Sequence, residues 1–387
     1  MTAEQIQPIA PSKRTAIVDM LRGWALLGVV LMNYSDYSTS IDRDPKFHAD
    51  LLTRILSIFG SIVFQAKSWT MLSMLFGYGF AVLIRNVADK GINPAKFFTV
   101  RMLWLFVIAF VNCCFWWGDI LKDYAFMGLV MLLFYKLNPK TAFIFGICLF
   151  LIIPGTSPLI GHIKSNGAAE FNKLIPLYHS TSFINNVKFH LLGTWYREVT
   201  DPFYAINVHI IQLGCFMLGF SAQRINFFEN LHENKKWVKR AFWYNLLGMV
   251  VLGAFMGAAT TLKWSVLKHY NPGFWFIILS MLVIVSALCW LYINGKLKAF
   301  FRSMETIGRM TLTNYMVQNV ISFFVFGGVG LGLGSKMPYW FYLALPLSIY
   351  IAQVYFSKWW LSRYNYGFVE WIWRQLSYHK RLPLKKA

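Results

Sequence analysis

The sequence predicts an all-α membrane protein, a polytopic bundle of about ten transmembrane helices with both termini in the cytoplasm. Of its 387 residues, 57% are hydrophobic and only 14% are charged, which leaves too few polar side chains to cover a soluble surface. Several apolar runs have the length that crosses a bilayer as a helix, whereas barrel strands need only about ten residues of alternating pattern. These observations together favour a helical bundle.

Ten apolar segments are predicted to span the membrane. They lie at about 16–34, 58–84, 99–117, 120–136, 141–158, 203–221, 240–262, 273–293, 308–330 and 338–357. The predicted transmembrane bundle covers 16–357, follows a cytoplasmic tail at 1–15, and includes a long outer loop at about 157–202. Residues 358–387 are predicted to form a cytoplasmic interfacial helix and a basic tail.

The distribution of lysine and arginine orients this bundle. If the segments alternate in direction, the loops on the side of the N-terminus carry 24 of the 37 lysines and arginines, and the opposite loops carry 11. Because positive charge is retained in the cytoplasm, both termini are predicted to lie there. The net charge of +21 is scattered over short loops, so we expect the lipid bilayer and no nucleic acid as a partner.

The first apolar segment contains an acid and a base. Asp19 and Arg22 are three residues apart, so they share one helix face and can form an ion pair. Charges at this depth are costly unless they face the protein interior or a water-filled cavity. We interpret this helix as one wall of a functional site, and a structural ion pair between helices is the alternative.

The five cysteines give no sign of a disulfide or a metal site. Cys113, Cys114, Cys148, Cys215 and Cys289 all lie inside apolar segments, and no pair has a CxxC spacing. Histidine or cysteine partners at metal-ligand spacing are also missing from the sequence. We therefore expect no bound metal and no tightly bound cofactor.

Several motifs occur in the order in which one known family carries them. They are R-x4-D-x2-RG at 14–23, Leu75-Phe76-Gly77-Tyr78-Gly79-Phe80, Gly118-Asp119-Ile120-Leu121, Gly308-Arg309-Met310-Thr311-Leu312-Thr313-Asn314-Tyr315 and Gly367-Phe368-Val369-Glu370-Trp371. On these motifs the chain resembles the YeiB-like family of bacterial membrane proteins, domain of unknown function 418. The resemblance implies a multi-pass protein of the bacterial inner (cytoplasmic) membrane, and it implies no settled activity.

The opening motif is also similar to the first helix of membrane acyltransferases of the heparan-alpha-glucosaminide N-acetyltransferase and acyltransferase-3 types. This similarity implies transfer of an acyl group from a cytoplasmic donor, with acetyl-CoA as co-substrate, to a glycan or other small acceptor at the outer face. In the bacterial type a catalytic histidine ends that helix, where this chain has Asn33. In the heparan type a histidine follows in the outer loop, where this chain has His48.

Acyl transfer needs cationic groups for the donor's phosphates, a base for the acceptor, and a path between them. The hypothesis assigns catalysis to His48, Asp119 and His209, donor binding to Arg14, Asp19, Arg22, Arg101, Arg309, Asn314 and Gln318, and substrate contacts to Asn33, Lys67 and Asp123.

These assignments have structural alternatives. His48 also fits an ordinary loop histidine, His209 an interhelical hydrogen bond, and Lys67 a side chain that extends to the membrane surface. Asn314 and Gln318, four residues apart, equally fit a contact between two helices. The alternative function is a transporter or channel for a small metabolite, although no inverted repeat is visible. Homo-oligomerisation is left open.

Overall fold

The computed structural model describes residues 14–39, 41 and 50–386, and their regular structure is helical. The α-helices are α1 (Ala16–Thr39), α2 (Leu51–Val63), α3 (Lys67–Ala88), α4 (Pro94–Cys113), α5 (Leu121–Met131), α6 (Pro139–Gly161), α7 (Gly167–Lys173), α8 (Ile175–His179), α9 (Phe183–Thr194), α10 (His209–Arg224), α11 (Lys235–Thr261), α12 (Val266–His269), α13 (Gly273–Ile293), α14 (Lys298–Gly308), α15 (Thr311–Phe326), α16 (Phe341–Arg363) and α17 (Phe368–Tyr378). Two π-helical segments, Trp195–Val199 and Tyr204–Val208, precede α10. The predicted all-α fold class is confirmed.

Seven helical stretches within the described part of the chain are long and apolar enough to cross a membrane. They are Ala16–Ser38, Leu51–Ala88, Pro94–Cys113, Pro139–Gly161, Tyr204–Arg224, Lys235–Thr261 and Gly273–Ile293. Three further predicted spans correspond to α5, α15 and α16, of which α5 has only 11 residues and α15 has 16. The chain is thus a multi-pass helical bundle, while the count of ten spans and the cytoplasmic termini stay predictions.

The segment predicted as a span at 58–84 consists of two helices. Helix α2 ends at Val63 and α3 begins at Lys67, and Ala66 between them has a left-handed φ of 64°. Such backbone costs a residue with a side chain about 1–2 kcal/mol, and it turns the chain direction. Since α3 has 22 residues, it is long enough to cross a bilayer without α2.

Helix α1 lies at the centre of the bundle. Its residues Met20, Leu21, Ala25 and Leu26 are fully buried, and it packs against α3, α14, α15 and α16. The contact with α14 is the tightest, because a Cβ atom at Gly308 would lie 1.8 Å from the carbonyl oxygen of Asp19. The two helix backbones therefore touch directly, at the level of the charged residues of α1.

The C-terminal helix α17 packs against α4 and α15 instead of continuing α16. Helix α16 runs to Arg363, beyond the boundary of the bundle predicted at 357. The indole Nε1 of Trp373 donates a hydrogen bond to the carbonyl oxygen of Arg101, at 2.9 Å. This contact places α17 over the first turns of α4.

The predicted outer loop at about 157–202 is largely helical. It contains α7, α8, α9 and the first π-helical segment. Helix α9 packs on α8 and the π-helical segment, and the hydroxyl of Thr194 donates to the carbonyl oxygen of Trp117 at 2.9 Å. The loop is therefore a folded part of the protein that rests on the connection between α4 and α5.

Candidate functional site

A cavity of about 470 Å³ lies among α1, α3, α4, α15 and α17. Its charged lining residues are the arginines Arg14, Arg22, Arg85, Arg101, Arg309 and Arg374 and the acids Asp19, Glu229 and Glu370. Every basic residue in this lining is an arginine, and the arginines outnumber the acids two to one. A guanidinium group forms paired hydrogen bonds with phosphate or carboxylate oxygens, so this lining is suited to an anion.

The cavity becomes apolar beyond the arginines. One helical turn after Arg22 the lining residue of α1 is Leu26, and one turn after Arg101 the lining residue of α4 is Leu105. Apolar side chains continue around this inner end, where Leu72, Phe76, Ile120 and Leu121 also line it, together with the ring residues Tyr124 and Tyr315. The cavity therefore combines a cationic part with an apolar end in one space.

Asp19 holds two of the arginines in place. Its Oδ1 accepts from Nη1 of Arg22 at 2.8 Å, and its Oδ2 accepts from Nη1 of Arg14 at 3.4 Å. The Asp19 side chain is 4% exposed, whereas both arginines remain more than a quarter exposed. Asp19 thus orients the two guanidinium groups, and among the described residues no further acceptor bonds to either of them.

Two other arginines contain buried nitrogens without a hydrogen-bond partner. The guanidinium of Arg101 stacks on the ring of Trp373, 3.7 Å from its centroid, and its Nη1 has no acceptor in the described part of the chain. Nε of Arg309 is likewise buried and without an acceptor among the described residues. An unpaired buried donor costs about 1–3 kcal/mol, so an anion that accepted these hydrogen bonds would be stabilised.

Helix α17 closes one side of the cavity through Glu370. Its Oε1 accepts from the backbone N–H groups of Leu312 (2.8 Å) and Thr313 (3.2 Å), and its Oε2 accepts from the Thr313 hydroxyl. The carboxylate therefore caps the N-terminus of α15. Gly367 allows this approach, since a Cβ there would lie 2.2 Å from Glu370 Oε2. Burial raises the pKa of Glu370, and the Thr313 hydroxyl partly offsets that rise.

A network of buried polar groups lies behind the inner end. The Asp119 carboxylate is fully buried and accepts from Asn112 Nδ2 (2.7 Å), the Lys122 backbone N–H (3.2 Å) and the Tyr315 hydroxyl (3.2 Å). Asn319 Nδ2 in turn donates to Asn112 Oδ1 at 3.2 Å. Because Tyr315 lines the cavity, Asp119 is one hydrogen bond away from its wall.

A second charged cluster surrounds Asp123. Its Oδ1 lies 2.8 Å from Lys122 Nζ and 3.3 Å from His209 Nε2, and its Oδ2 accepts from the Tyr204 hydroxyl at 3.0 Å. Lys122 Nζ also lies 2.6 Å from a Glu198 carboxylate oxygen. The π-helical segments carry Glu198 and Tyr204, and such segments are common at functional sites.

The geometry of His209 bears on its predicted role as a base. Nδ1 faces the carbonyl oxygen of Ala205 at 2.5 Å, and Nε2 faces the Asp123 carboxylate. Both partners are acceptors, so only the doubly protonated ring satisfies both contacts. The cluster then places two cations, Lys122 and His209, beside the acids Asp123 and Glu198. This arrangement suits a polar tie between α5 and α10 and leaves His209 without a free basic nitrogen.

Asn314 and Gln318 join two helices instead of facing the cavity. Asn314 Nδ2 donates to Ser357 Oγ at 3.1 Å, and Gln318 Nε2 donates to Gln353 Oε1 at 2.7 Å. Gln353 Nε2 also donates to the Asn314 carbonyl oxygen at 3.0 Å. The pair therefore connects α15 to α16, and neither residue lines the cavity.

Lys67 and Asn33 lie away from the cavity. Lys67 is buried at the start of α3, where its Nζ donates to the Ser61 carbonyl oxygen at 2.7 Å. Asn33 is partly buried on α1 and is not among the lining residues. His48 lies outside the described residues. Of the predicted donor-binding residues, the structure brings Arg14, Asp19, Arg22, Arg101 and Arg309 together in the cavity.

Sequence reasoning missed four charged residues of the lining and the tyrosine that contacts Asp119. They are Arg85, Glu229, Tyr315, Glu370 and Arg374. Tyr315 and Glu370 belong to the motifs shared with the family, and Arg374 follows one of them closely. Their place in or near these motifs was the signal that could have found them. Arg85 lies in the last turn of a helix and Glu229 in a charged loop, and no local sequence pattern distinguishes them from other surface charges.

The chain is similar to a family of proteins of unknown function. Residues 222–380 match the family model described as "Protein of unknown function (DUF418)". The uncharacterized protein YxaH of Bacillus subtilis (strain 168) is 26% identical, over 98% of both chains. The uncharacterized protein YeiB of Escherichia coli (strain K12) is 24% identical, over 94% of this chain and 96% of that one. The resemblance to the YeiB-like family is confirmed.

The similarity to these relatives extends over almost the whole chain. An uncharacterized 39.9 kDa protein in the amylase 3′ region of Bacillus acidopullulyticus is 28% identical, over 98% of both chains. No solved structure matches. All three relatives are described as uncharacterized, so the comparisons give no activity for this chain.

Proposed function

We propose that this YeiB-like protein is a membrane acyltransferase that binds acetyl-CoA, or a similar acyl-CoA, in the arginine-lined cavity. The observation that carries the proposal is the combination of six arginines with an apolar inner end in one cavity of about 470 Å³. Acyl-CoA has phosphate groups at one end and an acyl thioester at the end of a flexible arm. Its two ends match the two parts of this cavity.

The size and the free donors of the cavity support such a ligand. Its volume falls within the range of about 300–1,000 Å³ that is usual for small-molecule sites. Arg101 and Arg309 offer buried donors that no group among the described residues uses, which favours a ligand rich in anionic oxygens. Arg14 and Arg22 line the same cavity and are oriented by Asp19.

We place the arginine-lined cavity on the cytoplasmic side of a bacterial inner membrane. The excess of lysine and arginine in the loops on the side of the N-terminus supports this orientation. Acyl-CoA is made in the cytoplasm, so the donor meets the arginines first. The acceptor, a glycan or another small molecule with a hydroxyl or amine, then receives the acyl group at the apolar inner end and leaves toward the outer face.

The proposal is tested by titration of the protein in lipid nanodiscs with acetyl-CoA and with acetyl-pantetheine, which has the thioester arm but lacks the nucleotide phosphates. Arg309→Gln removes one lining charge, and Arg302→Gln is the matched control, because Arg302 is exposed on the neighbouring helix α14. A charge-assisted hydrogen bond contributes about 1.5–3 kcal/mol, so we expect Arg309→Gln to weaken acetyl-CoA binding on the order of 10- to 100-fold.

Arg302→Gln should leave the dissociation constant unchanged, and acetyl-pantetheine should bind far more weakly than acetyl-CoA. Absence of saturable acetyl-CoA binding to the unaltered protein would refute the proposed function. Equal binding of the two thioesters would contradict the role of the arginines.

A further inference from the structure

The described histidines do not supply a base to the cavity. None of them is among the lining residues. His209 has both ring nitrogens engaged by acceptors. His190 is fully buried in an aromatic environment, stacked on Trp117 with a centroid separation of 5.5 Å, and neither of its nitrogens has a hydrogen-bond partner among the described residues. Acyl transfer in this cavity therefore requires another group to accept a proton.

The inner end offers one such group, the Tyr315 hydroxyl. Tyr315 lines the cavity and is only 4% exposed, and its hydroxyl donates to Asp119 Oδ1 at 3.2 Å. The other hydroxyl at this end, that of Tyr124, donates to the backbone carbonyl of Trp69 at 3.1 Å and contacts no carboxylate of the described residues. Tyr315 is thus the lining hydroxyl that is coupled to a buried acid.

Asp119 differs from Asp123 in the groups that hold it. Asp123 is in direct ion pairs with Lys122 and His209, so its charge is balanced. Asp119 has no ion pair within 4 Å among the described residues, and its hydrogen bonds come from neutral donors. A buried carboxylate without a direct cation takes up a proton more readily than a paired one.

We propose that Tyr315 is the catalytic acid–base residue of the cavity, and that Asp119 positions the Tyr315 hydroxyl and takes up its proton. This inference rests on the proposed function and specifies its chemistry. The substrate class is an acyl thioester whose carbonyl carbon lies beside Tyr315, with its phosphates among the arginines. The acceptor carries a hydroxyl or amine.

The step balances with these two residues alone. The acceptor oxygen or nitrogen attacks the thioester carbonyl carbon and gives its proton to the Tyr315 oxygen, while the Tyr315 proton moves to Asp119. When the carbon–sulfur bond breaks, the leaving sulfur takes a proton from Tyr315, and Asp119 returns its proton to Tyr315. A carbon–oxygen or carbon–nitrogen bond replaces the carbon–sulfur bond, and no oxidant or reductant is needed.

The state of Asp119 suits this role. Burial raises the pKa of Asp119 to about 6, against the opposing effect of the Lys122 charge and the Asn112 hydrogen bond. The carboxyl, in the connection between α4 and α5, is then ionised at neutral pH and is a better proton acceptor than an exposed carboxylate. General acid–base groups are most effective when their pKa lies near the working pH.

The test compares Tyr315→Phe with Tyr34→Phe. The Tyr34 hydroxyl is also buried and donates to the Gln318 carbonyl oxygen of α15 at 2.8 Å, but Tyr34 does not line the cavity. Binding of acetyl-CoA and release of free thiol, with water as the acceptor, are measured in nanodiscs. We expect Tyr315→Phe to keep the dissociation constant and to lower thiol release on the order of 100-fold, while Tyr34→Phe changes neither.

The pH profile separates a chemical role from a structural one. In the unaltered protein, thiol release should rise with pH through about 6 as Asp119 ionises. Asp119→Asn should abolish this rise and Asp119→Glu should restore part of it. Unchanged thiol release in Tyr315→Phe, or a parallel loss of binding and turnover, would overturn the assignment and leave the proposed function standing. No acetyl-CoA binding by the unaltered protein would overturn both.

Discussion

The packing of α14 against α1 predicts a large effect from a single methyl group. Gly308 precedes Arg309 of the cavity, and a Cβ added there would lie 1.8 Å from the Asp19 carbonyl oxygen. Real Cβ contacts are not shorter than 3.0 Å, so Gly308→Ala must separate the two backbones by about 1.2 Å. Such overpacking costs about 1–3 kcal/mol, and here it also moves Arg309 away from the Asp19–Arg22 pair.

Gly257→Ala is the matched control, because a Cβ at Gly257, near the C-terminal end of α11, meets no atom within 4 Å. Alanine is favoured over glycine in a helix by about 1 kcal/mol, so the control should be neutral or slightly stabilising. Thermal unfolding in one detergent gives both values, and we expect Gly308→Ala to unfold several degrees below the control. An unfolding temperature of Gly308→Ala equal to that of Gly257→Ala would refute the direct backbone contact.

Two further predictions concern the carboxyl groups around the cavity. Glu370→Ala removes the acceptor that caps α15, so it should lower the free energy of unfolding by about 0.5–2 kcal/mol. It should also speed amide hydrogen exchange in α17 and in the first turn of α15, whereas Glu233→Ala, at an exposed position, should change neither quantity. Equal exchange rates in the two variants would contradict the cap. Asp119 binds protons more tightly in the folded than in the unfolded protein, since its pKa rises from 3.8 to about 6. The contribution of Asp119 to stability is therefore complete below about pH 4, and it falls by up to about 3 kcal/mol as the pH rises to 6. Chemical unfolding measured across that range should show this fall in the free energy of unfolding, and Asp119→Asn should remove it.

The fold class followed from composition because membrane spans need long apolar runs. The predicted span at 273–293 coincides with α13 (Gly273–Ile293), where an apolar run ends at polar residues on both sides. The span predicted at 58–84 was divided by the left-handed backbone at Ala66. No glycine, asparagine or proline marks this position, so the sequence gives no signal for the turn.

Direct contacts within the site were predictable only between residues that are close in sequence. Asp19 and Arg22 pair because they are three residues apart on one helix. Arg85, Glu229 and Glu370 reach the same cavity from distant parts of the chain, and their positions depend on the packing of α3, α10 and α17. Only the three-dimensional arrangement of helices joins them.

The neighbour that a polar residue of a helix faces could also not be predicted from the sequence. Tyr315 and Asn314 are adjacent, yet Tyr315 lines the cavity and Asn314 bonds to α16, because successive residues point about 100° apart around a helix. The two acceptors of His209 likewise come from Asp123, far away in the sequence, and from a carbonyl in a π-helical turn. Neither contact is visible in the pattern of residues.

The central claim is that the six arginines of the cavity bind the phosphates of an acyl donor. The most direct measurement is a titration of the unaltered protein in nanodiscs with acetyl-CoA and acetyl-pantetheine under the same conditions. The account predicts saturable binding of acetyl-CoA, much weaker binding of acetyl-pantetheine, and loss of this difference as Arg309 and its neighbours are neutralised. Equal affinity for the two thioesters, or no binding of either, would contradict it.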